Sequence, residues 1–265
     1  MKTYRKLSEK DKLAYDQDGY LIAREFYFRD EAELLLNSYL NDRVLHDHTY
    51  GRKDKEGNTT KLALWYSLDD NIYSLFVRSR RMVEGVSLLL GGPPAHFHTK
   101  LMQKEPRVGG AWEWHQDYGY WYHDGFLYPQ MMSVMIALTP ATIENGCLQV
   151  IKGSHLLGRI DHGMTGDQKG ADMERVNAAL ERLPLVYVEL EPGDTLFFHS
   201  NLLHRSDINN SEHSRCSMIS TFNMITNRPF REQHASCYTA IGMVPDEMIM
   251  QSGIRGISEN AVFNK

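Results

Sequence analysis

The chain has 265 residues, with 29 basic and 34 acidic side chains and a formal net charge of −5. A hydrophobic content of 42% and a charged content of 24% are ordinary for a globular protein. No basic stripe is visible, which disfavours nucleic acid as a partner. No linker, low-complexity stretch or repeat divides the sequence, so we expect a single domain over residues 1–265.

Neither the start of the chain nor its apolar runs indicate a membrane or secretory segment. The first ten residues lack an apolar core, and the apolar run at 86–90 is too short to span a bilayer. Three widely spaced cysteines, Cys147, Cys216 and Cys237, indicate free thiols in a reducing cytoplasm. Cys147 and Cys216 lie in apolar strand patterns, which favours buried packing. We expect a cytoplasmic protein with no membrane, nucleic-acid or protein partner.

The first third of the chain, about residues 1–92, is expected to be mostly helical. Apolar side chains recur there at helical spacing, Asp30 is a candidate N-cap, and Gly91-Gly92-Pro93-Pro94 ends the region. The predicted elements are helices over residues 7–18, 32–45 and 71–90 and a short strand over residues 19–22.

A polar loop is predicted over residues 46–59, between the second and third helices. His46 and His48 within it resemble a metal-binding pair in spacing. A solvated loop is the favoured interpretation, because the segment offers no apolar wall on which a site could be built.

From residue 95 the hydrophobic period changes to two, which predicts strands. In the first of them His98, Lys100, Met102 and Lys104 share one face. Helices followed by seven or eight short strands indicate an α+β, mainly β fold with a jelly-roll core of the cupin type (a double-stranded β-helix) over about 95–225. The predicted strands cover residues 95–104, 130–138, 147–151, 185–190, 195–199 and 215–225.

An insertion over about residues 156–184 interrupts the predicted sheet. A glycine-rich loop comes first, followed by an amphipathic helix over 172–183. We expect the 158–170 segment to be mobile and to act as a lid or specificity loop, with Arg159 and His162 able to contact a substrate.

The stretch His115-Gln116-Asp117 is the centre of the candidate site. A His and an Asp two apart on an extended strand project to the same side and can reach one cation. His204 lies far downstream and offers a second imidazole. Two His and one carboxylate, with the other positions open, are the ligand set of non-haem Fe(II) oxygenases. Short motifs also occur by chance, so this spacing alone leaves a structural role for each residue open.

Arg215 begins a predicted strand and shares a side with Ser217, Ile219 and Thr221. An Arg that faces the inside of a barrel would be a buried, unpaired charge unless it meets an anion. A carboxylate ligand held by the guanidinium fork would satisfy it. An internal salt bridge to an acidic residue is the alternative.

A series of short motifs follows in order along the chain: Asp18-Gly19-Tyr20, a leucine-rich helix ending in Leu90-Gly91, Trp114-His115-Gln116-Asp117, Asn145-Gly146-Cys147-Leu148, Gly153-Ser154-His155, Pro192-Gly193-Asp194, and His204-Arg205-Ser206 through Arg215. This ordered set resembles the phytanoyl-CoA dioxygenase family of Fe(II)- and 2-oxoglutarate-dependent oxygenases, which includes the ectoine hydroxylases. The resemblance covers most of the chain.

The resemblance implies a role for each matching residue. His115, Asp117 and His204 would ligate Fe(II), and Arg215 would hold the distal carboxylate of 2-oxoglutarate with Ser206 as a helper. O2 would be the second cosubstrate and ascorbate a candidate reductant. Asp117 is missing from related halogenases, so its presence implies hydroxylation, or another oxidation such as desaturation. Further positions that match ones near the cosubstrate or substrate are His98, Lys100 and Ser133.

Aromatic side chains crowd the metal motif, and at least half of them are expected to be core. The rest would line a pocket over the iron, with Trp121 and His98 as candidate substrate contacts. Glu113 and Asp124 would favour a cationic substrate. We expect a free small metabolite, such as an amino acid, an amine or a natural-product intermediate. The aromatic residues are Trp112, Trp114, Tyr118, Tyr120, Trp121 and Tyr122.

Three alternatives stay open. A metal-binding or 2-oxo-acid-sensing protein would keep the fold without turnover. A Zn²⁺ or Mn²⁺ hydrolase or isomerase would leave Arg215 without an anionic partner. An acyl-CoA hydroxylase would need a basic cluster for the CoA phosphates, for which Arg78, Arg80 and Arg81 are candidates. A solvated helix face is the favoured interpretation of those three.

Overall fold

The computed structural model describes residues 4–165, 167–233, 235–251, 253 and 255–264. Two antiparallel sheets and a set of helices make up a mixed helix–sheet fold. The helices are α1 (Glu9–Asp18), α2 (Arg29–Leu40), α3 (Arg43–Asp47), α4 (Ile72–Arg78), α5 (Arg80–Leu90), α6 (Tyr118–Trp121), α7 (Met173–Leu180) and α8 (Met248–Gln251).

The larger sheet has seven strands in the order β1-β11-β6-β13-β4-β3-β2, and the smaller has four in the order β10-β7-β12-β5. Every neighbouring pair in both sheets is antiparallel, and β8 and β9 form a separate hairpin. The strands are β1 (Tyr20–Ala23), β2 (Tyr50–Lys53), β3 (Thr59–Trp65), β4 (Pro94–Lys104), β5 (Trp112–His115), β6 (Met131–Ala137), β7 (Leu148–Ile151), β8 (His162–Thr165), β9 (Gln168–Ala171), β10 (Leu185–Val188), β11 (Thr195–His199), β12 (His204–Ser206) and β13 (Arg215–Met224).

The larger sheet is covered on both faces. Val134 and Ile136 of β6 pack in one apolar cluster with side chains of the N-terminal helices. Met135, between them, packs in another cluster with Leu148 and Val150 of the smaller sheet. This double coverage explains why β6 is a continuous apolar run rather than an alternating one. The cavities described below open between the two sheets.

All seven predicted strands, the short one over 19–22 included, are present, within a few residues at each end. The cysteines are free and buried, and Cys147 and Cys216 lie in the apolar clusters, as expected. Among the described residues, no helix combines the length and apolar character needed to cross a bilayer.

Two predicted helices are each divided in two, and the continuous helices over 32–45 and 71–90 were wrong. The first break comes at Asp42, whose carboxylate accepts hydrogen bonds from the Leu45 amide, the Tyr73 hydroxyl and the Ile257 amide. The second comes at Ser79, which has extended backbone angles of φ −56° and ψ 142°. Partners distant in sequence hold Asp42, so helical periodicity gives no sign of the break. Asp30 was also wrong as N-cap, because α2 begins after Phe28.

The predicted polar loop over 46–59 was wrong as well. It contains the end of α3, strand β2 and the first residue of β3, which pairs with β2. The strand β2 lies at the edge of the larger sheet and is largely exposed, so backbone pairing rather than apolar side chains defines it. His48 stacks on Phe263, with ring centroids 3.9 Å apart.

Arg81 is buried in a charged cluster that ties the C-terminal segment to the N-terminal helices. Its guanidinium forms ion pairs with Glu31 and with Asp246, and only 1% of the side chain is exposed. The rings of Tyr4 and Tyr27 each have their centroid 4.4 Å from the guanidinium carbon. Both interpretations of Arg81, a solvated helix face and a CoA-phosphate contact, were therefore wrong.

Replacement of Arg81 by Leu should lower the free energy of unfolding by about 3–5 kcal/mol, because it leaves two buried carboxylates without their cation. The matched control is Arg80→Leu, since Arg80 is exposed and precedes it on the same helix. That variant should change stability by no more than about 0.5 kcal/mol. Urea denaturation measures both values, and equal stabilities would contradict this account of the cluster.

Candidate metal centre

His115 and His204 are brought side by side by strand pairing. His115 is the last residue of β5, His204 is the first residue of β12, and the two are directly opposite in the antiparallel register. Their ring centroids lie 4.0 Å apart, and each residue is about 4% exposed. A separation of 89 positions in the sequence therefore becomes direct contact through a single pair of strands.

Asp117 completes the cluster by a different backbone geometry from the one predicted. The strand ends at His115, and Asp117 has helical angles of φ −57° and ψ −37° just before α6. Asp117 is therefore not on an extended strand as predicted, although its side chain and that of His115 do converge. Asp117 Oδ1 lies 3.6 Å from His115 Nε2 and 3.9 Å from His204 Nε2.

The hydrogen bonds of the two imidazoles fix which nitrogen of each ring faces Asp117. His115 Nδ1 lies 2.7 Å from the Glu113 carbonyl oxygen, and His204 Nδ1 lies 2.9 Å from the Leu202 carbonyl oxygen. A carbonyl only accepts, so each Nδ1 carries a hydrogen, and Nε2 is the nitrogen of each ring that is directed at Asp117. Burial lowers the pKa of His204 to about 3, which keeps that ring neutral.

The carboxyl group of Asp117 stays ionised in this setting. Burial alone would raise its pKa, but the facing His115 and His204, together with Lys100, lower it well below the usual range. The Nε2 atoms of the two rings and a carboxylate oxygen of Asp117 thus converge. Within the described residues, these three are the group of His, Cys, Asp and Glu side chains able to hold a metal ion. The donor set fits a divalent cation with open positions.

Ser133 supports the carboxylate from behind. Its hydroxyl donates to Asp117 Oδ2 over 2.6 Å, which leaves Oδ1 directed at the two rings. Thr221 Oγ1 lies 3.3 Å from the Ser133 hydroxyl and 3.2 Å from His98 Nε2, so a chain of polar groups continues away from the centre. Ser133 was expected near a cosubstrate, whereas here it lies against the carboxylate and does not line either cavity described below.

Gln116 is a structural support that the sequence argument did not assign. The residue is fully buried, and its side-chain nitrogen donates to the carbonyls of Gly158 and Asn201 over 2.7 Å each. Its side-chain oxygen accepts from the Ile160 amide at 2.7 Å. The amide therefore joins the metal loop to the inserted segment and to the turn before His204. Its position between two ligands was the signal that could have found it.

The inserted segment contains the β8–β9 hairpin followed by α7, so the expectation of a loop without strands over 158–170 was wrong, while its mobility and lid role stay predictions; Gly166 lies outside the described residues. Gln168 of β9 accepts from the Glu113 amide and donates to the Lys53 and Ala111 carbonyls. The Tyr120 hydroxyl donates to the Lys169 carbonyl over 2.7 Å. These contacts attach the hairpin beside the metal loop.

His162 and Arg159, the two expected substrate contacts in the insertion, do not line the cavities. His162 Nε2 accepts from the Gln116 amide at 2.9 Å, and burial lowers the pKa of His162 to about 4. A Cβ on Gly119 would lie 2.3 Å from the His162 ring, so this close approach requires glycine. Arg159 pairs with Asp161 and lies over the Tyr122 ring.

An inner cavity extends from the metal cluster toward Arg215. Arg215 is buried, its guanidinium donates to the Gly146 carbonyl, and it forms no ion pair with any acid in the described part of the chain. The predicted alternative of an internal salt bridge is therefore absent there. Besides His115, Asp117 and His204, the inner cavity is lined by Lys100, Met102, Trp112, Met135, Leu148, Phe198, Arg205, Ser206, Arg215 and Ile219.

A second buried basic side chain, Lys104, lies beside Arg215, and burial lowers the pKa of Lys104 well below the usual range of a lysine. The two residues are opposite each other in the β4–β13 register, and Lys104 has no exposed surface. Its ammonium donates to the Ser206 hydroxyl over 2.8 Å and to the Asp207 carbonyl. Because Ser206 Oγ accepts from Lys104, the Ser206 proton is free to be donated to another group. Lys104 shares a face of β4 with Lys100. This alternating pattern was the sequence signal that could have identified Lys104 as a site residue.

An outer cavity of about 410 Å³ lies on the other side of the cluster and is lined in part by the hairpin. Lys100, Trp112, His115 and Asp117 border both cavities, so the metal cluster stands at their junction. Three of the six aromatic residues near the motif face the outer cavity: Trp112, Tyr120 and Trp121. Its other lining residues are Tyr50, Arg52, Leu62, Leu64, Tyr66, Phe97, His98, Asp124, Met164, Asp167, Gln168 and Lys169.

Comparison with known proteins gives consistent matches. The phytanoyl-CoA dioxygenase family model matches residues 15–217. The chain is 33% identical to the L-proline trans-4-hydroxylase of Streptomyces griseoviridis over 192 residues, which is 66% of this chain and 72% of that protein. It is 24% identical to the ectoine dioxygenase of Sphingopyxis alaskensis over 237 residues, 84% of this chain and 78% of that protein.

The fold has a counterpart among solved structures. The structure of EctD from S. alaskensis with bound Fe superposes with a TM-score of 0.75 and 21% identity, covering 93% of this chain and 91% of that one. At that identity the match concerns the fold.

Ser133→Ala should weaken the binding of Co²⁺, a divalent ion with a visible spectrum, by about 10- to 100-fold, because the ligand carboxylate loses its orienting donor. The matched control is Ser217→Ala on the neighbouring strand, whose buried hydroxyl has no hydrogen-bond partner. Spectroscopic titration measures both affinities. If the two variants bind Co²⁺ equally well, Ser133 does not orient Asp117.

Proposed function

This chain belongs to the phytanoyl-CoA dioxygenase family, and we propose that it hydroxylates an unactivated C–H bond of a small free metabolite. It is an Fe(II)- and 2-oxoglutarate-dependent oxygenase. The observation that carries the proposal is the convergence of two imidazole Nε2 atoms and an ionised carboxylate beside a cavity that ends at Arg215, which forms no ion pair within the described residues.

We assign the metal to His115, Asp117 and His204. These side chains occupy one side of the ion and leave the other side for cosubstrates. Iron with bound 2-oxoglutarate supplies the activation of O2, with release of succinate and CO2, and ascorbate is a candidate reductant. The protein fixes the ligand set by strand pairing, by the Nδ1 hydrogen bonds and by Ser133.

Arg215 is assigned to the distal carboxylate of 2-oxoglutarate. A buried guanidinium without an acidic partner is costly, and a bidentate carboxylate satisfies it. Ser206 adds a hydroxyl donor, and Lys104 orients that hydroxyl through the hydrogen bond from its Nζ. Lys100 borders both cavities. Burial lowers the pKa of its ammonium group, and the electrostatic interaction with Asp117 opposes that shift. Lys100 is assigned to the cosubstrate at the junction.

The substrate is assigned to the outer cavity, with Trp121 and His98 in its wall. A volume of about 410 Å³ suits a small metabolite, since drug-sized ligand pockets span about 300–1,000 Å³. The ion-paired Arg81 removes one of the three candidate contacts for CoA phosphates. An acyl-CoA substrate is accordingly the less supported alternative, and Arg159 and His162 are proposed to shape the cavity wall indirectly.

Several further features belong to the same proposal. The two facing sheets are interpreted as a double-stranded β-helix within a single domain, with the 158–170 hairpin determining specificity. Free buried thiols support a cytoplasmic location. Asp117 favours hydroxylation or a related oxidation over halogenation. A hydrolase would give Arg215 no comparable anionic partner. A sensor would make no catalytic use of the open metal positions.

Anaerobic addition of Fe(II) and then 2-oxoglutarate should produce a visible charge-transfer band in the wild-type protein. His115→Ala should give no band because it removes a ligand, and the matched control His213→Ala should keep it, since His213 is exposed and is not one of the three cluster residues. Absorption spectroscopy on folded protein measures all three. A folded wild type without a band would contradict the proposed function.

Arg215→Ala should raise the KM for 2-oxoglutarate by about 100-fold or more, because a buried charge-assisted fork is lost. Arg215→Lys should give an intermediate value, and Lys104→Met should raise KM about tenfold while kcat changes less. Lys61→Met, at a partly exposed lysine paired with Glu105, is the control and should match wild type. Succinate release at varied 2-oxoglutarate measures these values, and an unaltered KM in Arg215→Ala would place the cosubstrate elsewhere.

A further inference from the structure

One acid in the outer cavity has no role in holding the metal. Asp124 lines the cavity and is half-buried. Its carboxylate makes no ion pair and no hydrogen bond to any described side chain or amide, although its backbone carbonyl accepts from Gln233. Burial raises the pKa of Asp124, and charge interactions with Lys169, His123 and Arg231 offset that rise only in part.

The other acids near the motif do not share this position. Glu113, equally close in sequence, lines a separate cavity together with Trp114 and Lys55. The register between β5 and β12 is irregular. His115 is opposite His204 and Trp112 is opposite Ser206, so three residue steps along β5 match two along β12. We attribute the different position of Glu113 to this irregularity. Asp167 lines the outer cavity but is exposed at its mouth.

Aromatic rings surround the interior of this cavity. The Phe97 ring lies edge-on to Trp121 at a centroid distance of 6.0 Å, and Tyr66 and His98 are 6.2 Å apart in the same arrangement. Aromatic faces and a desolvated carboxylate together are the recognition chemistry of an ammonium group. Arg52 and Lys169 lie exposed in the cavity lining and form no ion pair within the described residues. They are suited to attract a carboxylate.

We propose that the outer cavity selects a zwitterionic amino acid, whose ammonium group is held by Asp124 among aromatic rings and whose carboxylate is attracted by Arg52 and Lys169. This inference rests on the proposed oxygenase function and specifies its substrate class. A neutral or anionic substrate would leave the Asp124 carboxylate half-buried and unpaired, which is unfavourable. An ammonium group removes that penalty, so charge selects among metabolites of similar size.

The substrate class is tested with a panel of the common L-amino acids, including L-proline. Each is compared with its N-acetyl derivative, its desamino acid and its decarboxylated amine. The readout is substrate-stimulated succinate release by the wild-type protein loaded with Fe(II) and 2-oxoglutarate. The expected result is stimulation by one or more free amino acids and loss of stimulation on N-acetylation. No stimulation by any free amino acid, or equal stimulation by the N-acetyl form, would overturn the proposal.

The role of Asp124 is tested with the best stimulating amino acid. Asp124→Asn keeps the shape of the side chain and removes its charge, and should raise the KM for that amino acid at least about tenfold. Asp167→Asn removes a charge from the same cavity at an exposed position and should change KM less than about threefold. An equal change in both variants would mean that only the overall field of the cavity matters, and would overturn the assignment to Asp124.

A direct binding measurement separates this inference from the proposed function. Anaerobic calorimetry with the Fe(II)- and 2-oxoglutarate-loaded protein should show amino-acid binding that Asp124→Asn weakens, while its charge-transfer band stays as in wild type. A band without amino-acid binding would overturn only the substrate inference. Absence of the band in wild type would instead refute the oxygenase function on which the inference rests.

Discussion

The structure of this site depends on an electrostatic constraint that side chains alone cannot satisfy. Asp117 Oδ1 lies within 4 Å of Nε2 of His115 and of His204 in a buried setting, where the carboxylate and the His204 nitrogen lone pair repel each other. Protonation would relieve the repulsion, but burial holds the pKa of His204 at about 3. A divalent cation relieves it without a proton. The cluster is therefore built for a metal, and its geometry is determined before the metal arrives.

Much of the surrounding structure maintains that constraint. The register of β5 against β12 places the two rings together, and their Nδ1 atoms are satisfied by backbone carbonyls. Ser133 holds one oxygen of Asp117 and leaves the other directed at the rings. Gln116, between two ligands, satisfies three backbone groups of neighbouring segments. Each ligand is thus oriented by a partner that does not itself touch the metal.

The cavities on the two sides of the cluster differ in charge. The inner one ends at the Arg215 guanidinium, which forms no ion pair in the described part of the chain, and Lys104 lies behind Ser206. The outer one holds Asp124 in its interior and cations at exposed positions. Such a division suits an anionic cosubstrate on one side and an amine-bearing substrate on the other, with the reactive centre between them.

The sequence by itself determined the ligand types, the buried arginine and the strands, because periodicity and residue chemistry are local properties. Tertiary structure alone decided the rest. The breaks at Asp42 and Ser79, and the edge strand β2, depend on partners distant in the chain. Ser133 supports Asp117 by a hydrogen bond. Glu113 lies outside the site because of a shift in strand register. Those outcomes depend on how strands align in space, which periodicity does not encode.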